Sequence, residues 1–442
     1  MAYATRVLGT VRIDGLPADL ASKTASKYWL ETAAYQHCMR QGIPHWGERY
    51  ERYAMVTGDG ALWLQPHCQH ARDWDLPYPP IRHFGIRYPV PPEKLGLRDY
   101  QQDALKQWAA TPYGILQARA GSGKTVIGCG LFAYHGVRSL VVVPTRDLLN
   151  QWHARCQQFL GIDAGRFGSG HGGLGEQVTI ATYQTLSKHL CILDEHDLIL
   201  VDEGHRCPAP TIRSILAHFA GPYRYGCTAT PWRADGLHKA LDWMLGGVTT
   251  TVSAEATAAH VLPLTILQDK TDIEFPEDEH TQFQSRVARH FRRNAVLANR
   301  ISACVQKKHR VIALSQRVEQ LSAISGYLKS ADIPHVVITG STPKKQRVAA
   351  LKSVEDGSVS VLLATYQLAA EGLDIPALSA LVMLAPLGNP TRVEQACGRI
   401  ARPCPGKGEP VVYDYVDEGG IAGALARKRL GVYRKLGYRV SQ

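Results

Sequence analysis

The stretch Ala118-Arg119-Ala120-Gly121-Ser122-Gly123-Lys124-Thr125 constrains this chain more than any other. An apolar run over residues 114–118 leads into it and reads as a buried strand, and residues 126–134 continue it as a helix. In such a strand–loop–helix unit, backbone N–H groups and the helix N-terminus converge on an anion. Lys124 then reaches the β- and γ-phosphates of a nucleoside triphosphate, and the Thr125 hydroxyl holds Mg²⁺. The loop residues Ala120, Gly121, Ser122 and Gly123 form the rest of the cradle. Ala118 stands where the strict pattern has glycine, so the match is a variant. A plain glycine turn would not need Lys-Thr in register with both flanks.

Short apolar strands alternate with helix-length segments after residue 95, which predicts parallel, doubly wound sheets. The first series covers residues 115–118, 140–143, 178–181, 198–201 and 223–227. A helical stretch over 283–306 follows, then strands at 310–314, 335–338, 359–364, 380–384 and 410–413. Two α/β lobes in tandem are expected, over 95–255 and 256–442. The proline-rich residues 77–94 read as an extended linker. Before them, residues 1–76 read as a small α+β module, with a strand at 10–13, a helix over 20–40 and a hairpin around Gly58-Asp59-Gly60.

A second motif carries chemistry. Residues 198–201 are an apolar strand ending in Asp202 and Glu203. At the C-terminal end of a parallel strand, Asp202 can hold Mg²⁺ and Glu203 can polarise the water that attacks the γ-phosphate. With 442 residues and a net charge of +11, the chain suggests a polyanionic partner, and next to a nucleotide site that favours nucleic acid over membrane. No membrane-length apolar run or signal pattern is present, so a soluble, intracellular protein of a bacterial or phage-infected cell is expected. The ten cysteines are scattered with no C-x-x-C pair. Cys129, Cys191, Cys227 and Cys304 lie in apolar segments and read as core residues. His67, Cys68 and His70 lack a partner pair at zinc spacing.

Asp202-Glu203-Gly204-His205 resembles the D-E-x-H box of superfamily 2 helicases, and further motifs follow in that family's order. Leu97-Arg98-Asp99-Tyr100-Gln101 is similar to the adenine-reading segment, which implies Arg98 and Gln101 at the nucleotide, although Asp99 stands where proline is common. Pro144-Thr145-Arg146 and Thr182-Tyr183-Gln184 resemble the segments that contact the nucleic-acid backbone. Thr228-Ala229-Thr230-Pro231 resembles the motif that couples ATP state to strand binding, implying coupling roles for His205, Thr228 and Thr230. In the second lobe, Ala364-Thr365 with Glu371-Gly372-Leu373-Asp374 is similar to motif V, placing Thr365 on the backbone and Gly372 and Asp374 at the nucleotide. Gln395-Ala396-Cys397-Gly398-Arg399-Ile400-Ala401-Arg402 matches Q-x-x-G-R-x-x-R in full. The resemblance makes Gln395 catalytic and Arg399 and Arg402 arginine fingers, worth roughly 10³–10⁵ in rate.

Arg233-Ala234-Asp235-Gly236 narrows the likeness to the branch of phage branch-migration helicases, the transcription-and-repair helicase subunit and restriction-enzyme motors, with Arg233 implied at the DNA. The resemblance implies two tandem RecA-like doubly wound parallel-sheet lobes, ATP and Mg²⁺ as cofactors, and duplex, forked or branched DNA in preference to RNA. A duplex translocase without strand separation and an ATP-switched clamp remain as alternatives. Gly168-Ser169-Gly170-His171-Gly172-Gly173 satisfies the dinucleotide pattern, but a strand follows instead of a helix, so it reads as a flexible loop. The basic, aromatic run over 427–439 reads equally as a DNA contact or as a packed end helix. Residues 286–293 read as a packed helix with exposed charge.

Overall fold

The computed structural model describes residues 3–7, 10–31, 50–52, 54–59, 61–64, 81–82, 85–119, 121–229, 231, 238–257, 262–275, 280–370 and 375–441. They divide into two compact units, one of residues 1–119 and 123–252, the other of residues 253–442 with the short 120–122 segment. Among the described residues no helix is long and apolar enough to cross a membrane.

The first unit begins with strands β1 (Tyr3–Val7), β2 (Thr10–Asp14), β3 (Trp29–Glu31), β4 (Tyr50–Arg52), β5 (Ala54–Val56) and β6 (Leu62–Leu64). Four of them form an antiparallel sheet in the order β1-β2-β6-β5, and β3 pairs with β4. The expected hairpin is the β5–β6 pair, with Ala54 opposite Leu64. The helix expected over 20–40 is corrected: it spans Ala18–Ser26 and the chain turns into β3. Aromatic and branched side chains favour a strand when a partner is available, and β4, the partner here, lies far along the chain. Residues 32–49 and the His67–Cys68–His70 group lie outside the described residues. The ring of Tyr28 meets that of Trp243 edge-on at 5.2 Å, tying this module to the Lys239–Leu245 helix.

The proline-rich stretch is a strap, not a free linker, wherever it is described. Ile81, Tyr88 and Val90 pack against the core of the first lobe. The Tyr88 hydroxyl donates to the Val137 carbonyl at 3.0 Å, and the Arg82 backbone N–H to Asp197 at 2.8 Å.

The eight-stranded sheet of this unit contains β7 (Tyr113–Gln117), β8 (Ser139–Val143), β9 (Gly165–Gly168), β10 (His171–Gly172), β11 (Val178–Thr182), β12 (Leu198–Asp202), β13 (Tyr223–Thr228) and β14 (Val248–Thr251), ordered β10-β9-β11-β8-β12-β13-β7-β14. Among the described residues of this sheet only the β9–β10 pair is antiparallel. Alternate residues feed two cores: Val141, Val143, Leu198 and Leu200 face one side, Leu140, Val142, Ile199 and Val201 the other. Each fully buried side chain of this kind contributes about 1.5–3 kcal/mol, which explains the continuous apolar runs of the central strands. The glycine-rich segment read as a flexible loop is the β9–β10 hairpin, with Gly168, Ser169 and Gly170 at positive φ.

The second unit holds a parallel sheet of β15 (Thr265–Glu274), β16 (Val311–Ser315), β17 (His335–Ile338), β18 (Val361–Thr365), β19 (Ala380–Met383), β20 (Val411–Glu418) and β21 (Arg439–Ser441), ordered β17-β18-β16-β19-β20-β15-β21. The single helix expected over 283–306 is two, His280–Arg289 and Phe291–Gln306, broken where the His290 ring accepts the Arg293 N–H as an N-cap. The end helix Gly420–Lys435 is packed: Arg429 is buried against Asp414 at 2.9 Å, and Tyr433 is buried beside it. Arg293 is likewise enclosed with Asp417 at 2.8 Å. Removing one partner of such a pair would strand a buried charge. Cys129, Cys227 and Cys304 are buried as expected, but Cys191 is exposed on a 3₁₀ turn at the surface.

Candidate functional site

Strand register brings the first-lobe motifs level. Cys227 pairs with Asp202, and Thr228 pairs with Gln117 at the end of β7. The phosphate loop, the two acids and Thr228 therefore emerge at one edge of the sheet, where parallel strands deliver their C-terminal ends. Gly121 and Gly123 sit at φ 87° and 82°, a backbone that favours glycine. A Cβ at Gly123 would also displace the Gln101 side-chain amide that packs on it. Lys124 and Thr125 open the helix Lys124–His135. The Lys124 ammonium donates to the carbonyls of Ala118 at 2.9 Å and Arg119 at 3.3 Å, and Ser122 is fully buried. Ala120 lies outside the described residues.

Gln101, expected to read the base, is buried. Its Oε1 accepts the Arg98 backbone N–H at 3.0 Å and its Nε2 lies over Gly123. It thus ties the start of the Asp99–Ala109 helix to the phosphate loop. Arg98 is exposed, with its guanidinium on the Tyr100 hydroxyl at 3.3 Å.

Asp202 is held on both oxygens. Oδ1 accepts the Glu203 N–H at 2.9 Å and the Cys227 thiol at 3.3 Å, and Oδ2 accepts the Trp152 indole N–H at 2.8 Å. Burial, with the adjacent Glu203 charge, pushes the Asp202 carboxyl above its ordinary range. Burial pushes Glu203 the same way, but the His205 hydrogen bond and the charges of Lys124, His205 and Arg206 outweigh it and hold Glu203 below its ordinary value. The His205 Nδ1 lies 3.0 Å from the Thr228 hydroxyl and 3.2 Å from Glu203. The expected coupling pair His205 and Thr228 is therefore in contact; Thr230 lies outside the described residues.

Among the described residues no group of three or more His, Cys, Asp or Glu side chains could cage a metal alone. One carboxylate and one hydroxyl, beside a phosphate cradle, fit Mg²⁺, which takes few protein oxygens and completes its shell with water and substrate phosphates.

Two segments expected at nucleic acid, Pro144-Thr145-Arg146 and Thr182-Tyr183-Gln184, lie side by side. The Gln184 amide donates to the Pro144 carbonyl at 3.4 Å. Thr145 caps the Arg146–Leu160 helix, its hydroxyl accepting the Leu148 N–H at 3.3 Å. Arg146 and Gln184 are exposed and Tyr183 is half-buried. Thr182 is buried and its hydroxyl donates to Thr185 at 3.1 Å, so that side chain is committed to the fold. Arg233 lies outside the described residues.

In the second unit, Thr365 ends β18 in the wall of a cavity of about 480 Å³ that also presents Ser315, Gln316, Arg347, Gln367 and Arg392. The sequence reading missed Arg347 and Arg392, because a cation on a helix reads as a solvated face. Their signal was position: both lie in the first turn of a helix that starts at a proline-marked boundary. Gln395 and Arg399 share the Pro390–Ile400 helix, whose start Asn389 caps by accepting the Arg392 N–H at 3.1 Å. Both are half-buried, as is Arg402 just beyond the helix. The Lys407 ammonium donates to the carbonyls of Arg402 at 2.7 Å and Pro376 at 2.8 Å, and burial lowers its pKa to about 8. Gly372 and Asp374 lie outside the described residues.

Residues 94–233 match the family described as type III restriction enzyme, res subunit, and residues 293–404 match the helicase conserved C-terminal domain. The chain is 26% identical over 354 residues to the probable helicase D10 of Escherichia phage T5, covering 79% of this chain and 78% of that protein. It is 27% identical over 390 residues to the DNA 3'-5' translocase XPB2 of Sulfurisphaera tokodaii, covering 78% and 87%. Among solved structures, S. cerevisiae Dbp5 bound to RNA and ADP BeF3 superposes with a TM-score of 0.56 at 15% identity, over 79% of this chain and 95% of that one, a likeness of fold. Two matched helicase domains, motifs in family order and two parallel-sheet lobes place the chain among the ATP-hydrolysing superfamily 2 helicases, on the side of the phage and XPB-type members.

Proposed function

We propose that this helicase is a DNA motor acting on duplex, forked or branched DNA, which couples ATP hydrolysis between its lobes to movement along a strand. The observation that carries the reading is the contact of His205 with both Glu203 and Thr228, beside Lys124 and Asp202. In this reading Lys124 and the loop N–H groups from Ala120 to Thr125 bind the phosphates, and Arg98 and Gln101 border the base. Glu203 orients the attacking water. Asp202 and Thr125 would hold Mg²⁺, which would supply charge neutralisation at the phosphates. Gln395, Arg399 and Arg402 approach the γ-phosphoryl from the second lobe, with Gly372 and Asp374 beside the nucleotide. His205, Thr228 and Thr230 relay the nucleotide state to the strand.

Pro144, Thr145, Arg146, Tyr183, Gln184, Arg233 and Thr365 are assigned to the strand, with Thr182 supporting them from within the fold. Arg347 and Arg392 join Thr365 as phosphate contacts, since two guanidinium groups beside hydroxyl and amide donors suit a phosphodiester. The proposed division is a module over 1–76, a proline-rich linker over 77–94 and lobes over 95–255 and 256–442, with the first module engaging duplex or junction DNA. The relative named a DNA 3'-5' translocase supports DNA as the partner.

Steady-state ATPase rates with no nucleic acid, single-stranded DNA, blunt duplex, forked DNA and RNA test this, with Lys124→Ala as the blank. Stimulation by forked or duplex DNA is expected. Stimulation by RNA alone would overturn the substrate assignment. DNA-stimulated turnover without strand displacement would identify a duplex translocase, and a flat low rate would favour an ATP-switched clamp.

A further inference from the structure

Trp152 is fully enclosed on the Arg146–Leu160 helix, outside every motif that carries chemistry. Its six-membered ring lies against Gly128 in the phosphate-loop helix, where a Cβ would come within 2.7 Å of it. Its other edge sends the indole N–H to Asp202 Oδ2 at 2.8 Å. Asp202 Oδ1 already accepts two donors, the Glu203 N–H and the Cys227 thiol. A carboxylate oxygen accepts about two bonds, so the open acceptor position on this side chain is the second one on Oδ2.

We infer that Trp152 is a positioning residue for Mg²⁺ binding: its indole N–H fixes the Asp202 carboxylate so that the remaining Oδ2 lone pair is presented to the ion or to its water. The inference rests on the proposed role of Asp202 as the metal-holding acid. Rotation of the carboxylate is opposed from both ends, since turning it breaks the indole bond on one oxygen and the backbone bond on the other. The helix that carries Trp152 opens with Thr145 and Arg146, so the group that aims the acid stands two turns from a segment assigned to the strand. Outer partners of this kind typically change metal affinity about 10–100-fold when removed.

The test uses the full chain with ADP and Mn²⁺ as the probe, following free Mn²⁺ by electron paramagnetic resonance. Trp152→Phe keeps an aromatic ring and deletes the N–H. Its Mn²⁺ affinity in the ADP complex is expected to fall about 10-fold or more, while ADP affinity in EDTA stays within twofold of wild type. Unchanged Mn²⁺ affinity in a folded Trp152→Phe protein would overturn the inference. Asp202→Asn runs beside it and separates the two failures. If Asp202→Asn loses Mn²⁺ and Trp152→Phe does not, the positioning role falls and the metal assignment stands; if Asp202→Asn retains full affinity, the metal assignment itself falls. Should Trp152→Phe not fold, indole ¹⁵N spectra of the wild type decide. Adding Mg²⁺ to the ADP complex must then shift one indole resonance that Asp202→Asn also displaces, and a spectrum unmoved by either refutes the role.

Discussion

Glu203 stands at φ 56° and ψ 51°, a left-handed backbone that costs a non-glycine residue roughly 1–3 kcal/mol. The turn directs its N–H back to Asp202 Oδ1 and its carboxylate toward His205. A glycine here would relieve the backbone and, in the proposed mechanism, remove the group that orients the water. Because His205 and Lys124 hold Glu203 ionised, it is available to take a proton without first losing one. Glu203→Gln keeps size and hydrogen-bonding capacity but removes that basicity. The expected result is ATP and DNA binding within a few-fold of wild type and hydrolysis slower by about 10²-fold or more. Fluorescent-nucleotide titration and steady-state turnover check the two halves, and normal turnover would show that another group orients the water.

At the scale of elements, the phosphate-loop helix is anchored at its far end. The ring of His135, its last residue, lies tilted against that of Tyr223 with centroids 4.1 Å apart and puts Nε2 2.8 Å from the Tyr225 hydroxyl. That hydroxyl donates its own proton to the Thr111 carbonyl, so His135 is the donor in their bond and its other nitrogen is unprotonated. Burial lowers the His135 pKa from 6.5 to about 4. The unfolded chain therefore takes up a proton between these values and the folded one resists it. Stability is fully present above pH 6.5 and declines as pH falls toward 4, by at most about 3 kcal/mol from this residue. His135→Gln should flatten that part of the curve in urea denaturation at pH 4.5 and 7; an unchanged pH slope would exclude His135 as its source.

The same scale explains what could be read before the fold was known. Strands buried on both faces, such as β11 and β12, are apolar runs and were legible. β15 was not: its sequence alternates with Gln268, Asp269, Lys270 and Asp272, so it looks like polar connection until β20 and β21 pair with it. The break at His290 depends on a side-chain cap, and Trp152 and Lys407 act through partners remote in sequence or on carbonyls, which leave no pattern in a motif. The acids Asp202 and Glu203 and the arginines Arg399 and Arg402 stood out in the sequence because their spacing matches a motif, and their catalytic roles are those proposed above.

For the whole molecule, the proposed hydrolytic groups are divided between two units that have separate cores on both faces of their own sheets. Residues 1–252 carry Lys124, Thr125, Asp202 and Glu203, and residues 253–442 carry Gln395, Arg399 and Arg402. Each segment is expected to melt cooperatively when expressed alone, since each buries its own apolar surface. Residues 1–252 should bind Mg²⁺ and ATP with an affinity near that of the full chain but turn over slower by about 10³-fold or more, the worth of an arginine finger. Arg399→Ala and Arg402→Ala in the intact chain should approach the same floor. Mixing the two segments at micromolar concentration should restore little, because a covalent tether supplies an effective concentration on the order of millimolar. Adding DNA to the mixture should recover part of the rate if both units hold one strand, and that recovery should vanish with salt as phosphate contacts are screened, in keeping with a net charge of +11. Full-rate hydrolysis by residues 1–252 alone would remove the arginines from the mechanism. Recovery that ignores salt would place the joining force in direct lobe-to-lobe contact, because a shared polyanion cannot act through charge without being sensitive to ions.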